Sequence, residues 1–216
     1  MEDNRNNQAS APQPSDLTEG VGDRPRSIEL PKIILASGSP RRAEILRTVN
    51  WPFEIMQPDI DETRQANEDA VIYVQRLARA KAEAVAQRVA SSLIVAADTT
   101  VVIGEQILEK PSDENDARGM LRQLSGRWHQ VITGVALIDN ATSASRVAHE
   151  VTEVKFAAMS EEEVDWYASS GEPMDKAGAY AIQGLGARFI EGIRGDFFNV
   201  MGLPMRLLYD MVRGLA

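Results

Sequence analysis

Apolar side chains recur every three or four residues in several stretches of the chain, and this period predicts amphipathic helices. The longest such stretch runs from 68 to 90, and Asn67 is expected to cap its first turn. Shorter helices are predicted after Ser39 and Pro40, over 114–124, after Ser160 and after Pro204.

Strand signals lie between these helices. The longest is the mostly apolar run 92–103, which is long enough to form a buried central strand. Two more long strands are predicted over 128–138 and 146–156, joined by a polar turn. Shorter strands are expected at 32–37, 53–56, 107–110 and 179–182, with a hairpin around 194–196. Because helices and strands alternate early and strands pair later, we predict an α/β fold with a mixed twisted sheet flanked by helices.

Composition predicts where the folded domain begins and in which compartment the protein is found. Residues 1–29 carry no periodic apolar face, so we expect a disordered tail in front of one domain over 30–216. The sequence has neither a signal-peptide pattern nor an apolar run near the ~20 residues of a membrane span. Together with the absence of cysteine, these features lead us to expect a cytoplasmic protein that does not bind a membrane.

The balance of charge narrows the choice of ligand. A formal net charge of −9 disfavours nucleic-acid binding, because such binding depends on a basic surface that neutralises phosphates. A small anionic ligand is still compatible with this charge, since a local cluster of cations can oppose the overall sign.

The strongest local motif is SGSPRR, which runs from Ser37 to Arg42 at a predicted strand-to-helix junction. The first turn of a helix favours acidic residues, yet Arg41 and Arg42 occupy it here. Exposed N–H groups, hydroxyls and two guanidinium groups suit a polyphosphate at this position. The alternative is a pair of surface arginines that form ion pairs with nearby carboxylates.

A carboxylate lies inside the apolar run of the longest strand. Asp98 is costly there unless it is paired, hydrogen-bonded or bound to a metal. It is therefore a candidate metal ligand or general base, and the alternative is an Asp that caps a bend. The acidic loop of Asp59, Asp61 and Glu62 could complete a magnesium site, although such loops are commonly just solvated.

Three other polar residues are weaker candidates. Lys81 projects from the apolar side of its helix, and such a lysine usually extends its ammonium group to water. Lys110 ends a strand in front of Pro111, where a loop could face a ligand. Gln183 lies among glycines, which suits either a tight turn or a hydrogen bond to the edge of a nucleobase.

Seven segments in order carry a resemblance that covers the chain from about Ile33 to the C-terminus. They are ASGSPRR (36–42), LARAKA (77–82), AADTTVVI (96–103), ILEKP (107–111), SGRWHQVITGVAL (125–137), DKAGAYAIQGLG (175–186) and NVMGLP (199–204). On these segments the sequence resembles the Maf family of nucleoside triphosphate pyrophosphatases. The resemblance implies a fold like that of inosine triphosphate pyrophosphatases, with two lobes and a central cleft.

The resemblance also implies hydrolysis of a nucleoside triphosphate to the monophosphate and pyrophosphate with a divalent cation, Mg²⁺ or Mn²⁺. It assigns catalysis to Asp98, Lys81 and Lys110, with Asp98 and Glu62 at the metal. It assigns substrate binding to Ser37, Arg41, Arg42, Thr99 and Gln183. Of these, Arg41, Thr99 and Gln183 match the subgroup that acts on dTTP and UTP.

Two alternatives stay open from the sequence. One is the same chemistry on 7-methyl-GTP or a modified nucleotide, and the other is a nucleotide-binding regulator of cell division with little turnover. The sequence also leaves open whether the chain forms a homodimer.

Overall fold

A computed structural model describes residues 29–215 and shows one seven-stranded mixed sheet. The predicted tail lies almost wholly outside the described residues. The strand order is β2-β1-β3-β5-β6-β7, and β4 pairs with β3 off this path. The strands are β1 (Ile33–Leu35), β2 (Phe53–Ile55), β3 (Leu93–Ile103), β4 (Gln106–Leu108), β5 (Trp128–Asp139), β6 (Ala144–Phe156) and β7 (Ile190–Arg194).

Helices flank this sheet and connect its strands. They are α1 (Pro40–Thr48), α2 (Ala70–Ala86), α3 (Glu114–Leu124), α4 (Glu161–Ser169), α5 (Phe197–Met201) and α6 (Met205–Arg213). Three 3₁₀ turns occupy Glu172–Asp175, Ala177–Ala179 and Gly184–Phe189. The predicted mixed α/β fold is therefore confirmed. No helix of the described residues is long and apolar enough to cross a membrane.

The long strand β3 divides the hydrophobic core. Side chains alternate between the faces of a strand, so its odd-numbered residues share one face and its even-numbered residues share the other. On the odd face, Val95 and Ala97 belong to one buried cluster, whereas Val101 and Ile103 belong to another. The even face packs against α2. Two cores at opposite ends of one strand make the two lobes that the resemblance implies.

A gap in the sheet opens the cleft between these lobes. Strand β1 pairs in parallel with residues 93–95 of β3, and β4 pairs antiparallel with residues 101–103. Between them, residues 96–100 of β3 have no neighbouring strand on this edge within the described part of the chain. The middle of a rigid, buried strand therefore faces an opening, where side chains and backbone can meet a ligand.

Two local predictions are wrong at helix starts and strand ends. Helix α2 is capped by Asp69, whose Oδ1 accepts the N–H of Val71 at 2.8 Å, and Asn67 lies in the preceding turn with φ of 58°. The expected hairpin around 194–196 is absent from the described chain, because β7 ends at Arg194. Asp196 then caps α5 by accepting the N–H of Phe198 at 2.7 Å.

The predicted strand at 179–182 is also wrong. Ala179 has φ of 58° and Gly178 has φ of 70°, and these left-handed residues prevent an extended run. The N–H of Ala181 is accepted by the hydroxyl of Tyr167 at 3.0 Å instead of by a neighbouring strand. By contrast, the capping box of Ser160 and Glu163 at the start of α4 is confirmed.

Candidate active site

A cavity of about 810 Å³ occupies the gap between β1 and β4. Nine side chains singled out from the sequence line it, namely Ser37, Arg41, Arg42, Glu62, Lys81, Asp98, Thr99, Lys110 and Gln183. The structure thus brings all nine together, while the chemical role of each stays a prediction. Asp59 and Asp61 do not line the cavity, so only Glu62 of the acidic loop reaches it.

Lys81 joins the two candidate metal ligands. Its Nζ donates to Oδ1 of Asp98 at 2.7 Å and lies 3.1 Å from Oε2 of Glu62. The side chain of Lys81 is 7% exposed and that of Asp98 is 11% exposed. The expectation that Lys81 extends to water is therefore wrong, since α2 faces β3 closely enough for its ammonium to meet Asp98.

Burial controls the proton affinity of Asp98. Removal from water raises the pKa of this carboxyl above its ordinary value, although Lys81 and Arg42 oppose the rise and Glu62 adds to it. A carboxylate with a raised pKa binds a proton more readily than an exposed one. Asp98 can therefore accept a proton as a general base, provided that it is ionised at the working pH.

Arg42 is a second buried cation of the cavity. Its Nε donates to the carbonyl of Gly202 at 2.7 Å, and its two Nη atoms donate to Oγ of Ser37 and Oγ1 of Thr99, both at 3.2 Å. Burial lowers the pKa of the Arg42 guanidinium, and the nearby carboxylate of Asp98 opposes this change. All three acceptors are neutral oxygens, so the guanidinium charge is available to an anion.

The start of α1 supplies further donors. Ser39 holds the N-cap position, but its side chain makes no capping bond, and no acidic residue lies in the first turn. The Oγ of Ser37 instead accepts the N–H of Ser39 at 3.1 Å. The remaining N–H groups of the first turn lack side-chain acceptors in the helix, which leaves them available to an anion in the cavity.

A salt bridge spans the mouth of the cleft. Nη1 of Arg41 donates to Oδ2 of Asp175 at 2.8 Å, and Nζ of Lys176 donates to the other oxygen of Asp175 at 2.5 Å. Partial burial would raise the pKa of Asp175, but the bonds from Lys176 and Arg41 outweigh it and hold this pKa at about 2. The sequence did not single out Asp175, although it lies in a quoted segment.

Lys110 and Gln183 line the cavity from segments outside α1 and β1. Neither side chain makes a hydrogen bond or ion pair with another residue in the span 29–215. Lys110 follows β4, and Gln183 lies in the irregular segment after the second 3₁₀ turn. Both are therefore free to contact a ligand rather than to hold the fold.

Two more residues of the lining were missed by sequence reasoning. Tyr73 projects from α2 and donates to Oε1 of Glu109 at 2.7 Å. Burial and the bond to Glu109 raise the pKa of Tyr73 above its ordinary value, so the phenol stays protonated. The helical period does place Tyr73 one turn before Leu77 on the inner face, and this was the available signal.

The charges of the lining differ from those of the whole chain. Six cationic side chains line the cavity, namely Arg41, Arg42, Arg64, Lys81, Lys110 and Lys176. Four carboxylates share it, namely Glu62, Asp98, Glu109 and Asp175. The chain as a whole carries a net charge of −9, so the excess of cations here is local. Such an excess in a cleft attracts small anions.

Comparison with known proteins identifies the family of the chain. The sequence pattern of a family described as Maf-like protein matches residues 32–215. The chain belongs to the Maf family. A relative from Symbiobacterium thermophilum named dTTP/UTP pyrophosphatase is 48% identical over 181 residues, covering 84% of this chain and 92% of the relative. A relative from Myxococcus xanthus with the same name is 50% identical over 173 residues, covering 80% of this chain and 87% of the relative.

One solved structure is also similar to this member of the Maf family. The Ham1 protein of Staphylococcus aureus shares 15% sequence identity at a TM-score of 0.49, covering 86% of this chain and all of the Ham1 chain. A similarity at this level supports no conclusion about function.

Proposed function

We propose that this Maf-family protein hydrolyses dTTP and UTP to the monophosphate and pyrophosphate. The observation that carries the proposal is the cavity itself, in which a buried carboxylate lies among an excess of cations. Relatives that share nearly half of their residues over most of the chain bear the name of this activity. The cavity volume of about 810 Å³ lies in the range of sites that hold small molecules.

The triphosphate would bind at the start of α1. Backbone N–H groups of the first turn, the hydroxyl of Ser37 and the guanidinium of Arg42 all converge on one place there. Arg41 would exchange Asp175 for phosphate oxygens, and Lys110 would approach from the other lobe. These cations would stabilise the negative charge that builds on the leaving pyrophosphate.

A divalent cation fits beside Asp98 and Glu62. Both carboxylates contact the ammonium of Lys81, so they already converge on one positive charge. No three His, Asp or Glu side chains among the described residues form a metal site alone. A site with only two carboxylates suits Mg²⁺ or Mn²⁺, because such a cation would take its other ligands from phosphates and water. The bound cation would supply positive charge next to the phosphates.

Asp98 would act on the attacking water. The Oδ1 atom of Asp98 is held by Lys81, while its burial raises the pKa of the carboxyl and favours proton uptake. In this proposal Asp98 orients a water and accepts its proton as the water attacks the α-phosphorus. The bond from the α-phosphorus to the bridging oxygen then breaks, and pyrophosphate leaves.

Gln183 would bind the base. Uracil and thymine share one edge with an N–H donor and a carbonyl acceptor, and a single amide can match both groups. Since dTTP and UTP differ at the 5-methyl and the 2′-hydroxyl, one contact to this shared edge accounts for both substrates. The proposal needs neither nucleic acid nor a membrane, and it places the enzyme with the free nucleotides of the cytoplasm.

A nucleotide panel tests the proposal. Purified protein is incubated with dTTP, UTP, dCTP, dGTP and 7-methyl-GTP, with and without a chelator, and both monophosphate and pyrophosphate are quantified. We expect dTTP and UTP to be cleaved fastest, and the chelator to stop the reaction until Mg²⁺ or Mn²⁺ is restored. Fastest cleavage of 7-methyl-GTP would refute the substrate assignment. Tight binding of dTTP without turnover would instead indicate a regulator, and sedimentation of the same sample would report whether a homodimer forms.

A further inference from the structure

The segment that carries Gln183 is held in place by two side chains that do not line the cavity. Residues 181–186 have no strand partner in the described chain, so no sheet ladder fixes them. The hydroxyl of Tyr167 accepts the N–H of Ala181 at 3.0 Å, two residues before Gln183. The carboxylate of Glu172 accepts the N–H groups of Leu185 and Gly186, both at 3.0 Å, just after it.

These two side chains also bind each other. The hydroxyl of Tyr167 donates to Oε1 of Glu172 at 2.8 Å, which orients the carboxylate. Tyr167 is completely buried on α4 and contacts the ring of Phe189 with centroids 5.6 Å apart. Nζ of Lys176 donates to the backbone carbonyl of Glu172 at 2.6 Å and fixes the main chain there. We define Tyr167 and Glu172 as the clamp.

Two glycines of the segment lie directly against the side chains of the clamp. Gly184 has φ of 85°, and a Cβ at this position would collide with the carboxylate of Glu172. A Cβ on Gly186 would collide with the hydroxyl of Tyr167. The two glycines of the sequence Gln-Gly-Leu-Gly therefore let the backbone approach the clamp closely, and this close approach needs residues without a side chain.

The clamp determines the position of Gln183 by holding its backbone. The amide of Gln183 has no hydrogen-bond partner among residues 29–215, so its neighbours do not orient it. Its position therefore follows from the backbone, which the clamp holds on both sides. That backbone position sets how far the amide reaches into the cavity. It therefore sets how much room is left for the base in front of the amide.

We propose that Glu172, together with Tyr167, is a positioning residue that sets the base selectivity of the cavity by fixing Gln183. This inference rests on the proposed function, in which Gln183 binds the base. It predicts that Glu172 affects the choice between a pyrimidine and a purine without affecting the binding of phosphates, because the side chains of the clamp bond to residues 181, 185 and 186 and not to the start of α1.

The test replaces the carboxylate by an amide of the same shape. In Glu172→Gln, one oxygen is retained, and the new NH₂ group faces a backbone N–H that it cannot accept. We measure kcat/KM for dTTP and dGTP, together with inhibition by inorganic pyrophosphate. The ratio of dTTP to dGTP is expected to fall by about tenfold, which is the scale of one or two lost hydrogen bonds, while the pyrophosphate inhibition constant stays unchanged.

Four further variants make the result specific. Gln183→Ala should lose selectivity to a similar extent, and the double variant should lose no more than Gln183→Ala alone. Tyr167→Phe removes the hydroxyl while residue 172 keeps its carboxylate, and it should lower the same ratio. Glu163→Ala is the matched control, since its carboxylate also accepts a backbone N–H, at the start of the helix that carries Tyr167, but does not contact residues 181–186.

The outcomes separate the two proposals. A wild-type protein that cleaves no triphosphate refutes the proposed function. A wild-type protein that prefers dTTP, with an unchanged ratio in both Glu172→Gln and Tyr167→Phe, overturns the positioning role alone. An equal loss of selectivity in Glu163→Ala would also overturn it, since general destabilisation would then explain the effect.

Discussion

The structure predicts that Arg42 cannot be replaced by lysine even though the charge is retained. The guanidinium reaches three oxygens in different directions, on Ser37, Thr99 and Gly202. Ser37 follows β1, Thr99 lies in the middle of β3, and Gly202 follows α5, so one side chain joins three separate parts of the chain. A single ammonium in Arg42→Lys would reach one of these acceptors, and the other two would lose their bond to residue 42.

The size of the effect follows from the bonds that are lost. A hydrogen bond from a charged donor contributes about 1.5–3 kcal/mol, so the loss of two such bonds lowers the free energy of unfolding by about 3–6 kcal/mol. For a domain of this length the expected fall in Tm is on the order of 10 °C. Because Ser37 and Thr99 would also lose their orientation, kcat/KM for dTTP should fall by about 100-fold.

Thermal melts and steady-state pyrophosphate release measure these two effects. The control is Arg47→Lys, the same chemical change on the same helix, where the guanidinium is exposed and lies 5.6 Å from the ring of Phe53. If Arg42→Lys melts within about 2 °C of this control and retains its kcat/KM, the positive charge alone is sufficient. The account of a directional guanidinium would then be refuted.

Three other substitutions test the electrostatics. Asp98→Asn should lower kcat by about 10²- to 10⁴-fold, because the amide cannot accept the proton of the attacking water, and near-normal turnover would contradict this. Lys81→Met should lower the free energy of unfolding, measured in urea, by about 3–5 kcal/mol at pH 8, because it leaves Asp98 buried without its partner. The loss should be smaller at pH 5, where Asp98 can take up a proton, and a loss that does not depend on pH would contradict this. Burial lowers the pKa of His129 to about 4 in the folded chain, whereas the unfolded chain binds this proton near pH 6.5. As the pH falls from 6.5 to 4, the free energy of unfolding should therefore fall by about 3 kcal/mol. His129→Gln should lack this component, and an unchanged pH profile would argue against a buried neutral imidazole.

Local periodicity was sufficient where local forces decide the structure. The predicted helix over 114–124 matches α3 at both ends, because Asp113 caps it and its apolar residues recur at helical spacing. The apolar run 92–103 likewise became β3 with a shift of one residue at its start. The pattern within each segment was therefore sufficient to predict its type and length, although β3 is completed by pairing with β1, β4 and β5.

The irregular segment after α4 could not be predicted in the same way. Residues 179–182 form a short apolar run that favours a strand, but the hydroxyl of Tyr167 accepts the N–H of Ala181 and takes the place of a neighbouring strand there. That contact joins residues 14 positions apart, and no local pattern contains it. The position of Lys81 depends in the same way on Asp98, which a helical period cannot reveal.

An acidic protein can nevertheless build a site for an anion, and the pairing of charges explains how. The carboxylates of the cavity are engaged: Asp98 and Glu62 contact Lys81, Asp175 contacts Arg41, and Glu109 accepts from Tyr73. Arg42, Arg64 and Lys110, by contrast, have no carboxylate at ion-pair distance among the described residues. The excess positive charge of the cavity therefore lies at these three cations. A triphosphate bound among them would neutralise this excess without competing for cations that the carboxylates already hold.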